Sequence, residues 1–293
     1  MKQELSILIP IYNSDCREQV TKLSKQAEAI EGLRYEIIVA DDGSSEAAVS
    51  NWLSDISQMQ NVHCIRRKQN VGRAAIRNFL AQQAKYSWLL FMDGDMSIPA
   101  DNFLKKWLEA DVDTVAYGGY IVGKGEMDNL RYIYEKQCEP MHRAEERRKR
   151  PFMHFHTCNF MIARSLMLQY PFDERFHQYG YEDVFFGKRL RQAGIQITHP
   201  DNPAGFYDYE NNDHFVSKTE EGLRTLHLFR NDLRGYSQII TFSEGIHIRA
   251  VRWFFILWHK AFGGIERRNL CSSKPSLRLF KLYKLGYYLT LKD

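Results

Sequence analysis

The sequence predicts an α/β protein: a doubly wound, mostly parallel sheet followed by a C-terminal helical extension. Three observations carry this. Trp88-Leu89-Leu90-Phe91-Met92 is an unbroken apolar run bounded by turn formers, as expected of a strand buried on both faces. Strand-like and helix-like segments alternate through roughly the first hundred residues, the pattern of successive βαβ units. Acidic residues crown successive strand ends, Asp41 and Asp42 first and then Asp93 and Asp95, at the sheet edge where ligands bind.

Composition narrows the class. At 293 residues the chain can form one large domain, or a domain with an appendage. Its 44% hydrophobic and 26% charged residues are ordinary for a globular protein, and a net charge of only +4 gives no field that argues for nucleic acid. Five scattered cysteines, none in a Cys-x-x-Cys pair, suit a reducing compartment. Met1-Lys2-Gln3-Glu4 runs straight into a strand without a signal peptide, and no apolar run is long enough to span a bilayer. A cytoplasmic protein is expected.

Leu5 to Asn13 is a buried first strand ending in a turn. Asp15 to Ile30 follows with Val20, Leu23, Ala27 and Ile30 at helical spacing, and Gly32 closes it. Tyr35 to Ala40 is a second strand, and strand-helix-strand in this length implies parallel pairing through a right-handed crossover. A helix from Glu46 to Met59, a short strand Val62 to Ile65, a helix opened by Asn70-Val71-Gly72-Arg73, and the Trp88–Met92 strand complete this half. No Gly-x-Gly-x-x-Gly fingerprint follows the first strand and no Walker-type loop is present, so the dinucleotide and P-loop classes are excluded.

Asp93 and Asp95 are two apart and point the same way if the strand geometry persists. Two like charges that close are unfavourable without a cation between them. A divalent ion, Mg²⁺ or Mn²⁺, clamped to a diphosphate is the economical explanation, since Mg²⁺ favours one or two carboxylates plus phosphate oxygens. Asp-Gly is also a common turn dipeptide, and on this stretch alone both readings stand. Asp42 is free to accept a base N–H or a ribose hydroxyl, or else Asp41-Asp42-Gly43-Ser44 is a turn with a helix cap.

Leu5 to Asn13, Glu36 to Ser44, Asn70-Val71-Gly72 with Arg77-Asn78, and Phe91 to Asp95 occur in an order and spacing that resembles family 2 glycosyltransferases of the GT-A fold. The resemblance covers roughly residues 3 to 220. It implies a nucleotide-sugar donor, a divalent metal and inversion at the anomeric carbon. It further implies a donor site from Pro10, Tyr12, Asn13, Asp42, Asn70, Arg73, Asp93 and Asn159, with metal on Asp95 and Asp93. The expected organisation is a catalytic unit over 1–222, its donor half about 1–100 and acceptor half about 101–222, and an extension over 223–293.

In the second half, Thr114 to Val122 reads as one strand with a glycine kink, and Asn129 to Glu146 as a helix running into Arg147-Arg148-Lys149-Arg150. That basic run is most simply a solvated helix end; the functional alternative is a mobile loop that meets phosphates or an anionic acceptor. His154 and His156 alternate as on a strand face and read as pocket or core residues. Tyr181-Glu182-Asp183 precedes a helix closed by Gly194. By resemblance Asp183 is the general base and Glu182 positions the acceptor hydroxyl. A histidine that commonly follows the base in this family is missing from Asn202 to Glu210; His199 and His214 flank the run and suit core or surface roles.

Residues 246–293 mix aromatics with cations, the composition of an interfacial helix or of a cap on the catalytic unit. The resulting expectation is an inverting, metal-dependent transferase using a nucleoside-diphosphate sugar, with UDP expected from family frequency. Its acceptor would be a cell-surface glycan or lipid-linked precursor at the inner face of the membrane. Two alternatives remain: a catalytically impaired nucleotide-sugar- or glycan-binding relative, and an Asp-x-Asp phosphatase, whose opening Asp93-Gly94-Asp95-Met96-Ser97 resembles.

Overall fold

Parallel pairing of the apolar segments organises the N-terminal half. The computed structural model describes residues 1–292. Strand and helix alternate as β1 (Glu4–Ile11), α1 (Arg17–Glu28), β2 (Arg34–Asp41), α2 (Ala48–Ser57), β3 (Val62–Arg66), α3 (Arg73–Gln83) and β4 (Trp88–Met92). These strands lie parallel in the order β3-β2-β1-β4, with Glu4 opposite Arg34 and Ile11 opposite Asp41. Ile7, Ile9, Val39 and Leu90 face one core, while Leu8, Ile38, Leu89 and Phe91 face the other. Both faces of the sheet are covered over β1, β2 and β4, which is why these strands are buried and largely apolar along their length. At the edge, β3 keeps His63 and Arg66 exposed.

Beyond β4 come β5 (Met96–Ser97), α4 (Phe103–Glu109), β6 (Val115–Tyr117), β7 (Tyr120–Val122), α5 (Leu130–Cys138), a 3₁₀ turn (Glu139–His142) and α6 (Ala144–Lys149). They are followed by β8 (Asn159–Ala163), α7 (Arg164–Gln169), α8 (Glu182–Gln192) and β9 (Ala204–Phe206). β8 joins β4 antiparallel and β6 joins β8 antiparallel, completing a six-stranded sheet; β5-β9-β7 form a small second sheet.

Three expectations need correcting here. The Thr114–Val122 segment is two strands in different sheets, because the chain crosses between them at Gly118-Gly119. A Cβ on Gly118 would lie 2.5 Å from Asn159 Nδ2 and 2.6 Å from the Asn202 carbonyl, and Gly119 has φ +84°. Gly118→Ala is expected to cost about 1–3 kcal/mol through overpacking, read as a lower thermal midpoint; an unchanged midpoint would show that the crossing yields. The Asn129–Glu146 helix is interrupted after Cys138, since Pro140 lacks the N–H that would continue it.

The basic run is not wholly solvated either. Arg147 is buried, donating to the carbonyls of Tyr117, His142 (2.9 Å), Gly118 (2.9 Å) and Pro200 (3.1 Å), with its guanidinium over the Tyr117 ring. The sheet-to-sheet crossing leaves carbonyls without ladder partners, and the fork of Arg147 satisfies them.

The C-terminal part is helical: α9 (Asn212–Leu228), α10 (Arg230–Leu233), α11 (Gln238–Gly245), α12 (Arg249–Leu270) and α13 (Leu277–Thr290). α9 runs unbroken across position 222, so the extension starts from a helix shared with the sheet-bearing half. Phe280 and Tyr283 of α13 pack with Leu130 of α5 and Phe215 and Val216 of α9. α12 buries Gly263, Glu266 and Leu270 along its second half. Its first half leaves Trp253, Phe254 and Leu257 56%, 57% and 58% exposed. No helix among the described residues is long and apolar enough to cross a membrane.

Candidate active site

The ends of β1, β2 and β4 open onto a cleft of about 610 Å³ that includes Pro10, Tyr12, Asn13, Asp42, Asn70, Asp93 and Asp95. A second cavity, about 360 Å³, lies between the sheet and the helical extension and includes His156, Glu182 and Asp183. Arg73, Asp93, Asp95, Tyr179, Glu210 and Lys218 line both. Strand ends and α8 thus present their carboxylates to contiguous spaces that meet at Asp95.

Asp42 is less free than expected. Gly72, at φ +89°, turns the chain so that the N–H groups of Val71 (3.1 Å) and Gly72 (3.0 Å) both donate to the Asp42 carboxylate. Burial raises its pKa, with those two bonds opposing. Asp42 therefore holds the turn that opens α3 and offers the cleft only its remaining lone pairs. Asn70 accepts from Gly72 N–H in the same turn at 3.0 Å. Asn13 accepts from the N–H groups of Ser45 and Glu46, while Tyr12 is left exposed at the mouth.

Asn159 is a correction. It lines neither cavity and is fully buried: Nδ2 donates to the carbonyls of Gly119 (2.9 Å) and Asn202 (2.8 Å), and Oδ1 accepts from Trp107 Nε1. Those bonds consume both its amide protons on the sheet crossing, which leaves none for a donor sugar.

The carboxylates fall into two states. Asp93 Oδ1 accepts from Arg77 at 2.6 Å, and Glu182 Oε1 accepts from the same guanidinium at 3.2 Å. Arg77 is 1% exposed, so this is a buried charge cluster. Asp93 thus commits Oδ1 to a cation that it shares with Glu182. Asp95, by contrast, has no bonded side-chain partner among the described residues, and burial followed by the Asp93 charge raises its pKa. Such a carboxylate fits a cation. Among the described residues no three His, Cys, Asp or Glu side chains are grouped to hold a metal by themselves. The donor set thus suits an ion held by Asp95 and mostly by phosphate oxygens. Where the histidine is missing, the chain brings Asp208, Glu210, His214 and Lys218 to the cleft.

Asp183 sits in the first turn of α8, entered through Gly180 (φ +98°) and Tyr181 (φ +70°). A left-handed tyrosine is a strained entry, and it turns the start of the helix toward the cavity. Burial alone would raise the Asp183 pKa, but the 3.0 Å bond from His156 Nδ1 and the Val184 N–H lower it below the usual value. Burial likewise works against the charge on His156, and its bond to Asp183 raises it overall. The shared bond thus favours the charged form of each partner, against the burial that opposes both charges. Glu182 shifts the opposite way, raised by burial and then by Asp183.

Sequence reasoning missed His156 as the partner of Asp183, and it missed Lys218, Arg131 and Lys284. The pairing of His156 with Asp183 spans 27 positions and has no local signature. Arg73, expected at the donor, stacks over Tyr179 on the wall between the cavities. His199 is a buried structural residue, bonded to Arg147 and to the Pro151 carbonyl.

Comparison with known proteins agrees with this architecture. The dolichol-phosphate mannosyltransferase of Pyrococcus furiosus is 32% identical over 131 residues, 43% of this chain and 36% of that protein. The chondroitin synthase of Escherichia coli is 26% identical over 231 residues, 65% of this chain and 32% of that one. The chain thus spans about a third of the length of these relatives. Among solved structures, S. aureus TarS 1-349 in complex with UDP superposes with TM-score 0.55 at 17% identity, covering 98% of this chain and 89% of that one. The mannosyltransferase PcManGT from Pyrobaculum calidifontis, in complex with GDP-Man and Mn²⁺, does so with TM-score 0.55 at 13% identity, covering 97% and 84%. At such identities the likeness shows the fold alone, which is the GT-A fold. The family model for glycosyl transferase family 2 matches residues 6–170, more than half of the sequence, and the chain belongs to that family.

Proposed function

We propose that this chain is an inverting glycosyltransferase that moves a sugar from a nucleoside-diphosphate donor, UDP-linked first, to a hydroxyl of a glycan or lipid-linked glycan. The observation that carries this is the meeting of two cavities at Asp95, with Asp42 in one and Asp183 in the other. In this reading residues 1–222 form the catalytic unit, and the donor lies along the strand ends with its diphosphate near Arg73 and Lys218. The sugar faces the second cavity, where Asp183 takes the acceptor proton as the hydroxyl attacks the anomeric carbon from the side opposite the diphosphate. The His156 bond orients Asp183 and favours its ionised form until that proton arrives. Mg²⁺ or Mn²⁺ bound through Asp95 would offset charge on the leaving diphosphate.

Thermal-shift titration with UDP- and GDP-sugars, with and without Mn²⁺, tests the donor, since ligand binding raises the midpoint. A midpoint unmoved by every nucleotide sugar would overturn the assignment. Asp95→Asn is expected to abolish the Mn²⁺-dependent part of the shift, and an undiminished Mn²⁺ effect would remove Asp95 from the metal. Binding with neither transfer nor donor hydrolysis would identify the non-catalytic relative instead. The phosphatase reading finds no support, because Asp93, its required nucleophile, is tied to Arg77.

We also propose that α12 rests on an anionic membrane surface. Exposed Trp253, Phe254 and Leu257 lie among Arg249, Arg252 and Lys260, a pairing of apolar and basic groups that complements an acidic headgroup layer. Co-sedimentation with phosphatidylglycerol vesicles is expected for the wild type and lost in Trp253→Ser/Phe254→Ser/Leu257→Ser. Equal sedimentation of the two proteins would exclude this face.

A further inference from the structure

The second cavity contains more cations than proton transfer needs. Arg131 is paired with Glu135 at 3.0 Å, and Lys218 with Glu210 at 3.3 Å. Arg73, on the wall shared with the strand-end cleft, faces Asp93, Asp95 and Glu182. Lys284 differs from these. It projects from α13 with its ammonium 4.8 Å from the Tyr134 ring centre and 4.5 Å from that of Phe280, and among the described residues no carboxylate pairs with it. The acid nearest in sequence to Tyr134, Glu135, is already used: Oε1 meets Arg131 and Oε2 accepts from Tyr120 at 2.7 Å.

A lysine packed on aromatic faces in this way is only partly compensated. Burial, offset in part by Cys138, draws its ammonium down to about 8. An anion brought beside it would restore the charge that burial disfavours. The surrounding rings of Tyr134, Tyr181, Phe215 and Phe280 supply apolar faces of the kind that bind sugar rings, with few polar groups to fix orientation. The same cavity contains Asp183.

We propose that Lys284 anchors an anionic group, a carboxylate or a phosphate, on the acceptor, so that the terminal helix selects acidic glycans or sugar phosphates over neutral ones. This rests on the glycosyltransferase reading above and extends it to the acceptor. Lys284 is a specificity residue here: it takes no part in bond making, and its ion pair holds the acceptor ring between the aromatic side chains with a hydroxyl toward Asp183.

Three probes differing only at C6 test the inference: phenyl β-D-glucoside, phenyl β-D-glucuronide and phenyl β-D-glucoside 6-phosphate. Each is titrated calorimetrically into the full chain at saturating UDP. The wild type is expected to bind at least one anionic probe about tenfold tighter than the neutral glucoside, the worth of one charge-assisted contact. Which anion gains identifies the source. Lys284→Met, which keeps the stem packed on Tyr134 and Phe280, is expected to bind all three alike, while Lys284→Arg retains the preference. Equal binding of the three probes by the wild type, no detectable binding of either anionic probe, or a preference that survives in Lys284→Met would each overturn the inference. UDP binding is measured first on every protein. Its absence from the wild type would remove UDP as the donor nucleotide, and absence of binding by every nucleotide sugar would overturn the glycosyltransferase reading itself. UDP binding without anion preference removes only the role of Lys284.

Discussion

Asp183→Asn is expected to lower sugar transfer by about 10²–10⁴-fold, the usual worth of a general base, while UDP affinity stays at the wild-type level. The amide cannot take the acceptor proton, yet it fits the same space and leaves the strand-end cleft untouched. Turnover within a few-fold of wild type would mean that another group deprotonates the acceptor. The bond between His156 and Asp183 adds a stability signature with a definite sign. Asp183 is lowered from 3.8, so its contribution is complete above that pH and is lost as pH falls through the lower folded value. His156 is raised from 6.5, so its contribution is complete below that pH and is lost as pH rises through the higher folded value. The pair therefore stabilises the fold most between 3.8 and 6.5. Thermal midpoints of wild type and Asp183→Asn should differ most in that window, and a pH-independent difference would show that the pair carries no such charge.

Arg77→Met is expected to give the largest stability loss, about 3–5 kcal/mol in denaturant unfolding, because it strands buried carboxylates. Arg77 bonds Asp93 at 2.6 Å, Glu182 at 3.2 Å and the Arg73 carbonyl at 3.3 Å. Arg77→Lys should recover little, since a single ammonium lacks the planar fork that spans both acids. A loss below about 1 kcal/mol would place the cluster with exposed ion pairs and contradict its burial. The same guanidinium ties the acid after β4 to the acid that opens α8.

Legibility followed sequence separation. The parallel half could be read because its strands are rich in apolar residues and its helices keep their own period; these are local signals, as Trp88–Met92 shows. Asp95 and Asp183 were expected at element ends, and there the structure has them, each lining a cavity. Asn159 was placed at the donor by resemblance alone, and whether its amide faced cavity or core depended on Gly118, Asn202 and Trp107 arriving from elsewhere. Arg147 looked solvated for the same reason, since the carbonyls that bury it belong to a sheet crossing hidden inside what read as one strand. His156, in the loop before β8, meets Asp183 of α8, and Lys284 of α13 meets Tyr134 of α5; no periodicity announces such meetings.

The inner cavity is walled on one side by Phe280 and Lys284, both from α13. A ribosome delivers that helix after every strand has emerged. Until then the inner cavity lacks that wall, and a product halted before Leu277 would leave it open to solvent on the side that Phe280 and Lys284 close.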